Sequence, residues 1–227
     1  QNALQAATKA DATELMQELR GSVRKAIESP HANYVIQKSI EVVPPAASSF
    51  IVEELLGAGS MVAQHRYGCR ILCRLLEHSG TSSALLDLVA ELIVKARELS
   101  CHVFGHYVMQ SVLEHGQPSQ RKQIAATLRN DLVGNAQHRS ASHVVEAALQ
   151  HCSPEDVRTL VIGLLGSEGG GIAALAHGRF GYFVAKAILR LPGSDAQEAW
   201  RQLNVAAPEL QASKYGQRLL RDLGYSH

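Results

Sequence analysis

Aromatic residues are scarce in this chain: they make up 5% of its 227 residues, with a single Trp. β-Sandwiches and barrels draw on many aromatic and β-branched positions in alternating runs, and such runs are rare here. Charge of one sign is lacking too. Lys and Arg number 22 against 21 Asp and Glu, a formal net charge of +1. That excludes a strongly basic body that grips nucleic acid by charge alone, but not recognition in a local groove. The four cysteines, Cys69, Cys73, Cys101 and Cys152, do not form the pattern of a disulfide framework and suit a reducing compartment. No apolar run reaches membrane-spanning length. The expected location is cytoplasmic, with no membrane association. The chain begins at Gln1 rather than Met, so a fragment of a longer protein is expected.

What is abundant is Ala and Leu, which favour helices, arranged in a repeat. Six segments line up: HANYVIQKSIE from His31, RYGCRILCRLLEH from Arg66, VFGHYVMQSVLEHG from Val103, RSASHVVEAALQH from Arg139, RFGYFVAKAILR from Arg179 and KYGQRLLRDLG from Lys214. We number each from the residue after its small Ala or Gly, which gives Asn33, Cys69, His106, Ser142, Tyr182 and Gln217 as position 1. The intervals are 36, 37, 36, 40 and 35 residues, and a period this constant implies stacked supersecondary units. After each segment come turn residues (Pro44-Pro45, Gly80, Gly116, Pro154, Pro192-Gly193) and a second apolar-periodic stretch such as SSFIVEELL or SSALLDLVAELI. Short pieces (SMVAQ, DLVGNAQ, GIAALAH) lead into the next segment. The predicted fold is all-α, a right-handed α-solenoid of three-helix repeats. About five repeats and a C-terminal cap from roughly residue 205 are expected to form a single domain over 1–227. The stretch GSEGGG reads as a surface loop.

At 3.6 residues per turn, positions 1, 2 and 5 fall within about 100° of one another, while positions 3 and 4 are apolar in the first four repeats. The expected open face is therefore Asn33/Tyr34/Gln37, Cys69/Arg70/Cys73, His106/Tyr107/Gln110, Ser142/His143/Glu146 and Tyr182/Phe183/Lys186, with Gln217/Arg218/Arg221 in the cap. Position 2 reads Tyr, Arg, Tyr, His, Phe, Arg. Planar groups of this kind are about one residue in six, so six in register is an event on the order of one in fifty thousand. Packing is the competing explanation for a periodic aromatic, but core sites do not alternate Tyr with Arg. A ladder of planar groups suits unstacked bases. Positions 1 and 5 carry groups that reach base edges: Asn with Gln matches uracil, and the Glu146 carboxylate matches the paired N–H donors of guanine.

The motifs NYxxQ, CRxxC, HYxxQ and SHxxE resemble the base-reading motifs of Pumilio (PUF) repeats. RYGCRILCRLLEH, FGHYVMQSVLEHG and HRSASHVVEAALQHC resemble the fifth, sixth and seventh repeats of a Pumilio-homology domain, and SKYGQRLLRDLG resembles its capping repeat. The resemblance covers essentially the whole chain and implies its C-terminal half, repeats four to eight plus the cap. It implies sequence-specific binding of single-stranded RNA, one base per repeat and antiparallel to the chain, at a UGUA-like element of mRNA 3′ untranslated regions. It also implies regulation of mRNA stability or translation, protein co-repressors on the convex face, a monomer, no catalysis and no cofactor. Cys73 departs from the Gln of adenine-reading repeats, His106 from the usual Asn, and Tyr182 and Lys186 from Asn and Gln; Lys186 could instead meet a phosphate.

Other constellations are weaker. His65, Cys69 and Cys73 at four-residue spacing, with His102, lack the short loop spacing of a zinc site. His65, His102 and His138, each four before position 1, are better read as polar groups at helix N-termini. No Cys/His pair has an identifiable orienting partner for catalysis, and GSEGGG lacks the Lys-Ser/Thr of a phosphate loop. The rival functions are a protein-binding scaffold of the HEAT or armadillo type, which predicts no planar ladder, and a PUF-related ribosome-biogenesis factor, which predicts a strongly basic chain.

Overall fold

The computed structural model describes residues 13, 14, 16–79, 82–166 and 171–224, and every described element is helical. Repeat one comprises α1 (Val23–Glu28), α2 (Ala32–Val42) and α3 (Pro45–Leu55); repeat two comprises α4 (Gly59–Ala63), α5 (Gly68–His78) and α6 (Ser83–Val94). Repeat three comprises α7 (Ala96–Cys101), α8 (Gly105–His115) and α9 (Pro118–Leu128); after a 3-10 turn at Arg129–Asp131, repeat four comprises α10 (Leu132–Gln137), α11 (Ala141–His151) and α12 (Pro154–Gly166). Repeat five comprises α13 (Gly171–His177), α14 (Gly181–Leu189) and α15 (Ser194–Leu210), and α16 (Lys214–Asp222) follows it. Each repeat is thus a short helix, an inner helix carrying positions 1 to 5, and an outer helix. Residue 205 lies inside α15, so repeat five runs further than the cap boundary expected near it. Gly80 and most of GSEGGG lie outside the described residues.

The helices gather into two compact units that divide between Gln120 and Arg121, within α9. In the first, inner helices α2, α5 and α8 pack side by side and outer helices α3 and α6 do the same. Ile36, Phe50, Leu55, Ile71, Leu75, Leu88, Val108 and Met109 are buried in this unit. In the second, α11 packs on α14 and α14 on α16, with α12 against α15; Val144, Val145, Leu160, Leu175, Val184, Leu203 and Leu219 are buried there. Positions 3 and 4 are core in every repeat, with only Val35 half-buried. Pro45, Pro118 and Pro154 open α3, α9 and α12, where a missing N–H costs nothing.

The small residue before position 1 has a steric cause. A Cβ built on Gly68, Gly105, Gly181 or Gly216 would sit 2.4, 2.8, 2.6 or 2.3 Å from the backbone oxygen of Val62, Leu99, Leu175 or Leu210. The inner helix crosses the preceding segment almost in backbone contact, and that crossing sets its angle.

The residue four before position 1 fixes the same end. His65 Nδ1 accepts from the N–H groups of Tyr67 and Gly68 at 3.3 and 3.2 Å. His102 Nδ1 accepts from Phe104 and Gly105 at 3.1 and 3.2 Å, and His138 Nδ1 from Ser140 and Ala141 at 3.1 and 3.2 Å. Ser29 Oγ does this for α2 and Ser213 Oγ for α16. The expectation of helix-end histidines holds: each satisfies donors that a helix N-terminus leaves unpaired, and His65 has its Nδ1 lone pair committed to that task.

A second periodic brace was not anticipated. The carboxylate of Glu54 on α3 accepts from the N–H groups of Gly21 and Val23 at 2.6 and 3.1 Å. Glu91 on α6 accepts from Gly57 and Gly59 at 2.8 and 3.4 Å. Gln202 on α15 does so for Ile172 at 3.2 Å. The outer helix thus closes on the start of its own repeat's short helix. The signal was available: Glu54 and Glu91 lie one period apart.

Candidate nucleic-acid interface

Position 2 faces outward. Tyr34, Tyr107 and Phe183 keep 44, 53 and 36% of their surface exposed, the reverse of what core packing requires. Arg70 and Arg218 are exposed and His143 half-exposed. In the second unit the ladder can be measured. The rings of His143 and Phe183 lie 6.5 Å apart, and the guanidinium of Arg218 lies 6.0 Å from the Phe183 ring. Two carbon contact layers need roughly 7 Å, so a planar ring fits between successive platforms after small side-chain rotations.

Position 1 corrects the expectation of an open face. Asn33, Cys69, His106, Ser142 and Tyr182 are all buried. Helical periodicity places position 1 on the same arc as positions 2 and 5, but in the folded repeats that flank is covered. Three of the buried side chains bond back to a carbonyl three or four residues earlier. Asn33 Nδ2 donates to Ser29 O at 2.8 Å, and His106 Nδ1 lies 3.0 Å from His102 O. Cys69 Sγ contacts Arg66 O at 3.6 Å, and burial raises its thiol pKa.

Position 5 is half-buried throughout, at the foot of the ladder. Gln37 Nε2 donates to Asn33 Oδ1 at 2.9 Å, which joins positions 1 and 5 of repeat one into a single polar edge. Cys73 Sγ donates to the backbone oxygen of Tyr107 in the next repeat at 3.6 Å. Burial pushes this thiol up to about 12, so it is a neutral, weak donor turned toward its neighbour. Gln110 sits in the same register beside Tyr107, whose ring is 3.9 Å from that of His106.

Repeat four has the most distinctive chemistry. The Oγ of Ser142 and Oε1 of Glu146 are buried without a hydrogen-bond partner. Buried polar atoms are nearly always satisfied, and these two stand together at positions 1 and 5 of one repeat. Glu146 Oε1 is 3.4 Å from His143 Nδ1, within ion-pair distance. Desolvation raises the Glu146 pKa, and His143 opposes the rise.

Repeat five differs from this pattern. Tyr182 is 1% exposed, and its hydroxyl donates to the Asp222 carboxylate of α16. Lys186 Nζ lies 2.5 Å from the same carboxylate oxygen.

Comparison with known proteins follows this division. A sequence model of the Pumilio-family RNA binding repeat matches residues 29–56, 61–93, 95–128 and 136–165, one segment for each of repeats one to four and more than half of the chain. Pumilio homology domain family member 4 of Saccharomyces cerevisiae is 26% identical over 185 residues, 79% of this chain and 21% of that protein. Fem-3 mRNA-binding factor 2 of Caenorhabditis elegans is 26% identical over 144 residues, 55% of this chain and 23% of that protein. The chain therefore spans less than a quarter of the length of these relatives. Among solved structures, the Puf3 RNA binding domain bound to a Cox17 RNA 3′ UTR recognition sequence superposes with a TM-score of 0.86 at 25% identity, covering 96% of this chain and 68% of that one. PUF-8 in complex with PBE-RNA gives 0.86 at 23% identity, covering 98% and 66%, a likeness of fold alone. With its repeats matched in register and its α-solenoid fold shared with these structures, the chain belongs to the Pumilio family of RNA-binding repeat proteins.

Proposed function

We propose that this chain binds single-stranded RNA one base per repeat, with position 2 as the stacking platform and positions 1 and 5 as the edge reader. The observation that carries the reading is the outward ladder: planar groups face outward at position 2 of successive repeats, and in the second unit His143, Phe183 and Arg218 stand 6.5 and 6.0 Å apart, a gap that small side-chain rotations widen to admit a base. Antiparallel polarity, taken from the resemblance, assigns guanine to repeat four, uracil to repeat three and adenine to repeat two, inside a UGUA-like element of mRNA 3′ untranslated regions. Control of mRNA stability or translation in the cytoplasm, with protein co-repressors on the convex face of a monomeric single-domain solenoid, completes the proposal. Selection from random RNA is expected to enrich GUA; enrichment of a motif without guanine contradicts the assignment.

The raised pKa of Glu146 makes guanine recognition pH-dependent. Only the ionised carboxylate accepts two N–H donors, so guanine binding favours that form and weakens as pH falls through the pKa of the free protein. Burial places that midpoint above the ordinary glutamate value of about 4.3. Affinity for a GUA-containing RNA should therefore begin to fall at a pH where an ordinary carboxylate is still ionised. Glu146→Gln, which cannot titrate, should flatten the profile. Parallel profiles for the two proteins in a fluorescence-anisotropy titration would contradict the role of Glu146.

A further inference from the structure

We infer that Asp222, on the helix that follows repeat five, occupies that repeat's base-reading pair, leaving it a platform that stacks a base without identifying it. This rests on the one-base-per-repeat reading above. The two side chains that stand in reading positions, Tyr182 and Lys186, both turn to one carboxylate 40 and 36 residues further along the chain. The Tyr182 hydroxyl donates to Asp222 Oδ2. Lys186 Nζ reaches the same oxygen at 2.5 Å and lies 3.4 Å from the tyrosine hydroxyl. Ser142 Oγ and Glu146 Oε1 of repeat four, by contrast, have no hydrogen-bond partner. One pair is prepared for a ligand; the other is satisfied from within.

The platform of repeat five stays open. Phe183 is exposed, backed edge-on by Tyr182 at 4.8 Å, and lies between His143 and Arg218. The Arg218 guanidinium also lies over the Tyr182 ring at 5.0 Å. Lys186 is therefore engaged rather than held out for a phosphate: its charge is matched by a carboxylate at contact distance. The latch is stable over a wide pH range. Hydrogen bonds, first from Lys186 and then from Tyr182, hold Asp222 at about 2, and the bond to Asp222 raises Lys186. A depressed carboxylate loses its contribution only as pH falls through its folded pKa, and a raised lysine only as pH rises through its own. Between those limits Asp222 remains in place.

The test uses four RNAs that differ only in the base 5′ of GUA, plus one carrying UUA in place of GUA. They are titrated at several salt concentrations against wild type, Asp222→Asn and Glu198→Gln. Glu198 makes a comparable exposed pair with Arg201, but on outer helix α15, so it controls for loss of one negative charge. Asp222→Asn keeps an acceptor for the Tyr182 hydroxyl while releasing Lys186, and thermal unfolding checks its fold. Wild type should bind the four RNAs within about twofold of one another. Asp222→Asn should show a log–log salt slope steeper by about 0.7, the value for one added phosphate contact on a single strand, and Glu198→Gln should show the wild-type slope. Tenfold or greater discrimination of the 5′ base by wild type overturns the inference, as does an Asp222→Asn slope equal to that of either other protein. The GUA/UUA ratio separates the two levels: if wild type shows no such preference, the wider RNA-reading proposal fails, whatever the behaviour of Asp222.

Discussion

Tyr107→Ala is expected to weaken RNA binding by about 1–3 kcal/mol, roughly 5- to 150-fold, the usual worth of one base stacked on an aromatic ring, with little change in folding stability. The ring is 53% exposed, so its removal opens no core cavity. The neighbouring Val108 and Met109, both fully buried, hold α8 in the core. Cys73 contacts Tyr107 through the backbone oxygen, which alanine retains. Binding isotherms and urea unfolding curves for the two proteins decide the matter. A loss of stability comparable to the loss of affinity would make Tyr107 a packing residue and remove a rung of the ladder.

The repeat, its helical content, the core positions and the histidine caps were legible in the sequence because each rests on contacts within about one repeat. A 3.6-residue period shows which face of a helix is apolar, and a constant interval shows that neighbours supply the partner. The small residue before position 1 was visible as a pattern, while its cause, a carbonyl of the preceding segment that would lie within 2.8 Å of any added Cβ, arises only in the folded chain. Two features were hidden. The burial of Ser142 and Asn33 depends on tertiary packing around the inner helix, which helical periodicity does not describe. The fate of Tyr182 depends on a carboxylate 40 residues away, which no local pattern announces. Position 2 was the most legible element of the site, since alternation of Tyr, Arg and His satisfies stacking and defeats packing. Position 5 was legible by residue type but not by use: Cys73 and Lys186 turn to protein partners.

The central claim, that one repeat reads one base through positions 1 and 5, is tested most directly at repeat four. Ionised Glu146 accepts two hydrogen bonds, and guanine presents two adjacent edge donors; uracil presents one donor between two carbonyl oxygens, which would face the carboxylate. A mismatch of this kind costs on the order of 1–3 kcal/mol by analogy with base readout in DNA grooves. Repeat one shows the alternative edge already assembled, with Asn33 bonded to Ser29 O and Gln37 bonded to Asn33. Ser142→Asn has an equivalent carbonyl available at His138, which already accepts from the Ser142 backbone N–H at 3.1 Å. The buried site must take a larger side chain, so unfolding curves accompany the binding data. The decisive measurement is a competition between GUA and UUA RNAs for wild type and for the double variant Ser142→Asn, Glu146→Gln, at one fixed salt concentration so that phosphate contacts cancel in the ratio. Wild type should favour GUA and the folded double variant should favour UUA; an unchanged preference for GUA would contradict reading by positions 1 and 5.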